Sequence, residues 1–568
     1  MPDVNAPLLA TPARRWFLPL ATLAIVATYG NSLSNSFHYD DFHSIVENPH
    51  IRALENIPAF FSDPGLFSSM PERAMYRPLL LVTYALNYWV HGYEVFGFHL
   101  VNVALHTGCT IAVYLLGIYM VGHAPAAAFG ALLFGLHPLQ AEATNYISSR
   151  SESLAAFWYL LSLLFYLRWR ELLRLDSGRG IYLASLVAFA LALLSKATAV
   201  VLPFAFLLWE SCRTRRGHDP VPWAYNAGYW IVGLTYLALV QQGIDAAFGQ
   251  PVRELSHQAY TQIKAVPYYL QLVAVPVHLS VEHGFRVSEV FWEGPVLFPV
   301  LLLVSAFLAL RGSSRAVLIF GWTVLPLLPA SIVPLNVLVN EHRLYLPLAS
   351  VAVGAALLAK VDVGRLRLVV AVGVLALLTV LTVTRNRVWE SELTLWKAAV
   401  RQAPDMYRSQ MHLGGALAES GRVEEAVQRY QRAVELAPGA VEAHYNLANG
   451  LRLLGQIDAA VRSYEKSLEL DPRFHNSLVN LAAAHLDRNQ LELSENLLRR
   501  AAEHHPASAA VHRRLGVLYV RQGRFEEARS AYQRAIFLRP DQGETYYNLA
   551  NLHWTNGNLE EAASEYRQ

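Results

Sequence analysis

Apolar positions gather into long runs over the first two thirds of the chain, then give way to short amphipathic segments at regular spacing. The runs lie near residues 16–33, 98–121, 126–137, 153–170, 181–194, 197–209, 223–243, 264–280, 295–310, 316–333, 344–359 and 366–384. A spanning helix needs about 20 apolar residues, so several of these must extend into their polar flanks. The run 264–280 carries Pro267, Pro276 and His278 and reads as re-entrant or interfacial, buried against protein rather than lipid. The pattern thus predicts an all-α chain. A cytoplasmic N-terminus (1–15) leads into a polytopic helical membrane domain over 16–384 with about eleven crossings and a long outer loop at 31–97. A linker at 385–400 and a soluble helical array over 401–568 follow.

The array has a 34-residue period. Prolines fall at Pro404, Pro438, Pro472, Pro506 and Pro540, and in phase with them stand Gly421, Gly455, Asn489, Gly523 and Gly557. Leu413, Leu447, Leu481, Leu515 and Leu549 keep the same register, as do Tyr430, Tyr464, Leu498, Tyr532 and Tyr566. Four series in one register are the signature of tetratricopeptide (TPR) helix pairs. The glycine permits a tight turn between helices, and the proline ends the second helix. About four and a half repeats are present. The fifth unit stops inside its second helix, so the pattern predicts a further repeat or cap beyond Gln568.

Basic residues assign the sides of the membrane. Arg14 and Arg15, then Arg168, Arg170, Arg174 and Arg179, then Arg213, Arg215 and Arg216 mark one side as cytoplasmic. Arg311, Arg315, Lys360, Arg365 and Arg367 continue that side. An odd number of crossings then places the N-terminus inside and the TPR array outside. The first run lacks a small-residue cleavage site and reads as a retained signal anchor. The near-zero formal charge of +2 gives no argument for a nucleic-acid partner, and two cysteines, Cys109 and Cys212, are too few for a disulfide framework or a thiolate metal site.

This topology gathers polar groups from separate loops at the outer membrane face. The first loop opens with Tyr39-Asp40-Asp41, and paired carboxylates suit general-base chemistry or a divalent cation. Tyr76-Arg77-Pro78 follows, then His99, Asn102 and His106 at helical spacing. His137-Pro138, Glu142 and Arg150 lie between two apolar helices, Lys196 at a hairpin tip, and Glu341-His342-Arg343 with Tyr345 before another run. Ionisable groups beside lipid are costly and usually face a polar cavity. A cation-rich outer pocket suits a phosphate group at the bilayer surface. Each residue alone also has a bland reading, as a helix cap, a packing histidine or a snorkelling lysine.

These residues, in this order, resemble the transmembrane-and-TPR-containing O-mannosyltransferases, and more distantly the protein O-mannosyltransferases and other C-type (GT-C) glycosyltransferases. The resemblance implies an enzyme that moves a sugar, mannose in that family, from a polyprenyl or dolichyl phosphate to Ser or Thr hydroxyls of a polypeptide, with inversion. It implies Asp40 or Asp41 as general base, with Asp40, first of the pair, preferred. It also implies that Arg77, His99, His137, Glu142, Arg150, Lys196, Glu341, Arg343 and Tyr345 bind the donor phosphate and sugar. No cofactor is required, since phosphate leaves readily as an anion; a divalent cation, if one binds, would sit on Asp40 and Asp41. The partners implied are the lipid-linked sugar in the membrane and a polypeptide in the TPR groove. The sequence departs from the family where Lys196 is followed by Ala197 rather than an acidic residue. No Asn-x-Ser/Thr sequon occurs. With the Ala/Arg-rich composition this points to a bacterial inner membrane with periplasmic repeats, against lumenal repeats in the endoplasmic reticulum for a eukaryotic chain. A non-catalytic membrane scaffold that recruits proteins through its TPRs is the competing reading, and a flippase for a lipid-linked glycan a third.

Overall fold

The computed structural model describes residues 12–70, 73–173, 178–215, 224–249, 251–360, 365–540 and 542–568. Most of the N-terminal segment 1–15 and the basic-loop residues Arg174 and Arg216 lie outside the described residues. All regular structure among those residues is helical. The chain divides into two compact units, Met1–Gln402 and Ala403–Gln568.

Among the described residues of the first unit, four helices are long and apolar enough to cross a membrane: Val95–Val121, Ser314–Ile332, Glu341–Ala359 and Leu368–Val388. The expected count of about eleven is therefore not reached by length and apolarity. Proline, glycine and charge divide the remaining runs. Ala124–Gly135, Arg179–Ser195 and Gly294–Leu310 are apolar but have 12, 17 and 17 residues. The 23-residue helix Arg150–Leu172 carries Arg150, Glu152, Arg168, Arg170 and Glu171. The 264–280 run lies in a helix over Leu255–Ala274 that stops before Pro276. The stretch 385–400 is mostly helical: Arg365–Val388 runs into it and Glu392–Gln402 follows.

The core of this unit is built by close helix contacts. A Cβ at Gly130 would run into the carbonyl of Ala352, so only glycine lets helix Ala124–Gly135 lie against helix Tyr345–Ala359. Phe17 stacks on Tyr114 with ring centres 3.8 Å apart, and Tyr166 on Phe206 at 4.0 Å. Above these helices, the outer loop folds as short turns over its own apolar cluster of Ile45, Ile51, Phe60, Phe67, Leu80, Tyr84 and Phe98. That cluster gives the Asp40–Asp41 segment a fixed base.

The second unit holds five helix pairs: Tyr407–Glu419 with Val423–Leu436, Val441–Leu453 with Ile457–Leu470, His475–Asp487 with Leu491–His504, Ala509–Arg521 with Phe525–Leu538, and Gly543–Thr555 with Leu559–Glu565. The phased glycine series occupies the turns, with φ of 76°, 74°, 74° and 80° at Gly421, Gly455, Gly523 and Gly557. Asn489, the one non-glycine of that series, adopts φ 56°. Asparagine tolerates the left-handed region better than other side chains, which is why it can stand there.

Candidate active site

The two carboxylates of the outer loop have opposite surroundings. Asp41 is fully buried. Its Oδ1 accepts from the backbone N–H of Ser148 at 2.7 Å and from the Ser148 hydroxyl at 2.5 Å, and its Oδ2 accepts from the N–H of His38 at 3.0 Å. Burial pushes its carboxyl up to about 6 against those hydrogen bonds. The Asp40 side chain keeps 40% of its surface exposed. Its Oδ1 is 3.1 Å from His43 Nε2 and 3.1 Å from Arg73 Nη1. Burial works against the charged form, but His43, Tyr146 and Arg73 together hold this carboxyl below its ordinary value.

Asp40 is aimed by an unusual backbone. Tyr39, the residue before it, has φ 53°, one of two non-glycine residues in the left-handed region among those described. The backbone N–H of Asp40 donates to the Tyr146 hydroxyl at 3.1 Å, and its carbonyl accepts from the Ser44 hydroxyl at 2.7 Å.

A polar path leads from this loop to the basic cluster. Ser44 Oγ lies 3.2 Å from Ser148 Oγ, and the Ser148 carbonyl accepts from the Ser151 hydroxyl. Arg77 Nη1 donates to Ser151 Oγ at 3.3 Å. Lys196 Nζ meets Glu152 Oε1 at 2.5 Å, and His342 lies between two carboxylates, Nδ1 at 2.7 Å from Glu142 and Nε2 at 3.6 Å from Glu152. Burial lowers the Lys196 ammonium, and neighbouring Arg77 and Arg343 lower it further although Glu152 opposes them. Glu152 is held below its ordinary value, since Lys196, His342 and Arg77 outweigh its burial. Glu152 is thus one carboxylate that several cations hold in its charged form. Glu152 and Arg343 line a cavity with Tyr159, Thr198, Pro326 and Leu346, so its wall carries both charged and apolar side chains. Arg343 is fixed by donating to the carbonyls of Leu338 and Val337 at 2.9 and 2.8 Å.

Beyond His342 the path continues to Glu341, which is fully buried. It accepts from the N–H of Ser280 and pairs with His283 Nε2 and Arg385 Nη2, each at 3.4 Å. Burial, then the nearby Glu341, raise the Glu142 carboxyl.

The structure therefore brings Asp40, Asp41, Arg77, Glu142, Lys196, Glu341 and Arg343 into one connected region. Four other expected residues are held by hydrogen bonds of their own. Arg150 is fully buried, with Nε on Asn102 at 2.7 Å, Nη1 on Asn87 at 2.6 Å and Thr83 at 3.1 Å, and Nη2 on the Phe98 carbonyl at 2.8 Å. His99 Nε2 lies 2.9 Å from the Asn35 carbonyl, and His137 Nε2 3.0 Å from that of Val273. The Tyr345 hydroxyl is 2.8 Å from His106 Nδ1. Sequence reasoning missed Arg73, His43, Ser148, His283 and Arg385, which belong to no recognisable spacing. His342 stood inside the quoted Glu341-His342-Arg343 motif without being singled out, and Glu152 lies two residues beyond the quoted Arg150.

A cation on the Asp pair fits these surroundings poorly. Asp41 has both oxygens occupied, Asp40 already faces a guanidinium, and among the described residues no group of three carboxylate, imidazole or thiol side chains could hold a metal.

Comparison with known proteins agrees with both halves of the chain. Tetratricopeptide repeat models match residues 441–474, 479–542 and 513–568, and a TPR repeat model matches 414–451. A protein O-mannosyl-transferase of Caenorhabditis elegans is 27% identical over 448 residues, covering 73% of this chain and 62% of its own length. Over nearly three quarters of its length the chain is thus similar to a protein named an O-mannosyl-transferase. Protein O-mannosyl-transferase TMTC4 of Homo sapiens is 26% identical over 73% of this chain and 65% of its own length, and TMTC1 of Homo sapiens 33% identical over 28% of this chain and 19% of its own. The chain thus spans less than two thirds of the length of these O-mannosyl-transferases. A thermophilic TPR protein from Thermus thermophilus aligns with 28% of this chain and 88% of its own length, at 26% identity and a TM-score of 0.27.

Proposed function

We propose that this protein is a membrane glycosyltransferase that moves a sugar, mannose by its kinship, from a polyprenyl-phosphate donor to Ser or Thr hydroxyls of a polypeptide. The observation that carries the reading is the pairing of one accessible, ionised carboxylate, Asp40, with the cations Arg77, Lys196 and Arg343 on the same polar path, Arg343 lining a cavity beside Glu152.

The chemistry follows from those groups. The acceptor hydroxyl gives its proton to Asp40 as its oxygen attacks the anomeric carbon. The bond from that carbon to the donor phosphate breaks, and the lipid phosphate leaves with the electron pair. Attack opposite the leaving group inverts the anomeric centre. The cations stabilise the charge that grows on the phosphate. Asp41 takes no proton in this scheme; its hydrogen bonds hold the loop. The apolar part of the cavity wall receives the first isoprene units, and the TPR groove presents the acceptor. We place both on the extracytoplasmic side, in a bacterial inner membrane, from the arginine distribution and composition.

The test uses the full chain in detergent with radiolabelled polyprenyl-phosphate mannose and a Ser/Thr-rich peptide. Transfer by wild type, lost in a folded Asp40→Asn variant, supports the reading. If no lipid-linked sugar tried is transferred, or if Asp40→Asn transfers as well as wild type, the reading fails and the TPR scaffold takes its place.

A further inference from the structure

We infer that Glu392, at the start of the helix following the last apolar segment, is a positioning residue for Asp40: it holds Tyr39 in its left-handed conformation and so sets the direction of the Asp40 carboxylate. The inference rests on the reading of Asp40 as the general base.

The contacts converge on one side chain from about 350 residues away in the chain. Glu392 Oε1 accepts from the backbone N–H of Tyr39 at 3.1 Å and lies 3.1 Å from His38 Nδ1. Its other oxygen, Oε2, accepts from the indole N–H of Trp396 at 2.5 Å, which fixes the carboxylate plane. His38 is buried, and its second ring nitrogen is 2.7 Å from the carbonyl of Trp389. His38 thus bridges the carboxyl of Glu392 and the carbonyl of Trp389. Tyr146, whose hydroxyl takes the N–H of Asp40, stacks on Trp389 with ring centres 5.8 Å apart. The segment 389–396 thus grips His38, Tyr39 and Tyr146, three of the residues beside or in contact with the backbone of Asp40.

The need for a grip is local. A tyrosine at φ 53° is disfavoured by its own Cβ, and a loop free to choose would return Tyr39 to negative φ. That rotation turns the following peptide and swings Asp40 away from His43 and Arg73. A carboxylate displaced by about 1 Å loses transfer rate while the donor site, built on other elements, is untouched. Sequence gives no hint of the pairing, since the two partners lie at opposite ends of the membrane region.

The test compares wild type, Glu392→Gln, Glu392→Ala, and Glu392→Ala combined with Tyr39→Gly, all in the full chain, with Asp40→Asn as a control. Glycine takes positive φ without a Cβ penalty, so it relieves the need for the grip. The expected result is a fall in kcat of about tenfold or more for Glu392→Ala with the KM for the lipid donor unchanged, a smaller fall for Glu392→Gln, and partial recovery of kcat in the double variant. An unchanged kcat in Glu392→Ala overturns the inference. So does a loss that Tyr39→Gly fails to relieve, because Glu392 then acts through packing alone. If Glu392→Ala does not fold, Glu392→Gln and its pairing with Tyr39→Gly carry the same comparison. An active Asp40→Asn variant instead sinks the general-base reading, an outcome distinct from either.

Discussion

Ser148 grips Asp41 Oδ1 with both its N–H and its hydroxyl, tying the outer loop to the segment that begins helix Arg150–Leu172. Neighbouring carboxylates therefore have different jobs. Asparagine at position 41 has one acceptor oxygen for donors on two sides, so one buried donor loses its partner at about 1–3 kcal/mol. Asp41→Asn is expected to melt below wild type by several degrees, and Asp40→Asn to melt with wild type while losing transfer by about 10²-fold or more. Thermal melts and initial rates on the two purified variants check this; equal melts would refute the division.

Asp41 also makes stability depend on pH. Its folded-state value of about 6 lies above the unfolded value, so the folded form binds the proton more tightly. The contribution is fully present below the ordinary carboxylate range of about 4 and is lost as pH rises through about 6. Melting temperature should fall between about pH 4 and about pH 6 and level off above it, and the slope should flatten in Asp41→Asn. Melts across that window are sufficient.

Activity should follow the opposite sign, because Asp40 lies below its ordinary value. Its charged form, required for the base, is present above that value and lost only as pH falls through the depressed one. The acid limb of the rate profile is therefore expected below the usual Asp range. Arg73→Ala removes one of the groups holding the carboxyl down and should move that limb upward in pH, with little change on the alkaline side. A limb that stays in place would remove Arg73 from the account.

Lys196 and Arg150 are both buried cations of the quoted motifs, and they should behave differently. Lys196→Met leaves a folded protein whose KM for the lipid donor rises about tenfold or more, since a charge-assisted contact to phosphate is lost. Arg150→Met leaves the side-chain acceptors of Asn87, Asn102 and Thr83 without their donor, at about 1–3 kcal/mol for each left unsatisfied. Poor recovery of folded Arg150→Met beside normal recovery of Lys196→Met is the expected result.

In the TPR unit the turn positions give a clean comparison. Gly455→Val places a β-branched side chain at φ 74° and should destabilise by about 1–2 kcal/mol. Asn489→Gly removes a smaller strain at φ 56° and should be neutral or stabilising by a few tenths of a kcal/mol. Denaturant melts of the full chain measure both.

How much of this could be read from sequence follows the range of the interactions. The TPR register was legible because each repeat restates the same local chemistry: leucine inside, glycine in the turn, proline after it. The motif residues at Asp40, Arg77, Lys196 and Arg343 were legible through order and family resemblance. The split between Asp40 and Asp41 was not, because it depends on Ser148 and Arg73, whose approach no periodicity encodes. The partners of His99, His137, Arg150 and Tyr345, mostly backbone carbonyls and asparagines, were not legible either, because buried polar side chains and ligand-binding ones share a composition. The number of crossings was legible only coarsely: apolar runs predict burial, and burial against protein and against lipid have the same hydropathy.

Arg150 joins three helices, its own and those at Pro78–His91 and Val95–Val121, through Asn87, Thr83, Asn102 and the Phe98 carbonyl. Both partner helices are synthesised before the guanidinium that joins them. A nascent chain that stops short of residue 150 carries the acceptors without the donor, so these three helices cannot lock together one at a time as they emerge. Their assembly waits for the third, the Asp41 carboxylate gains its Ser148 anchor just ahead of Arg150, and the Glu392 hold on His38 and Tyr39 comes only when the end of the membrane region has been made.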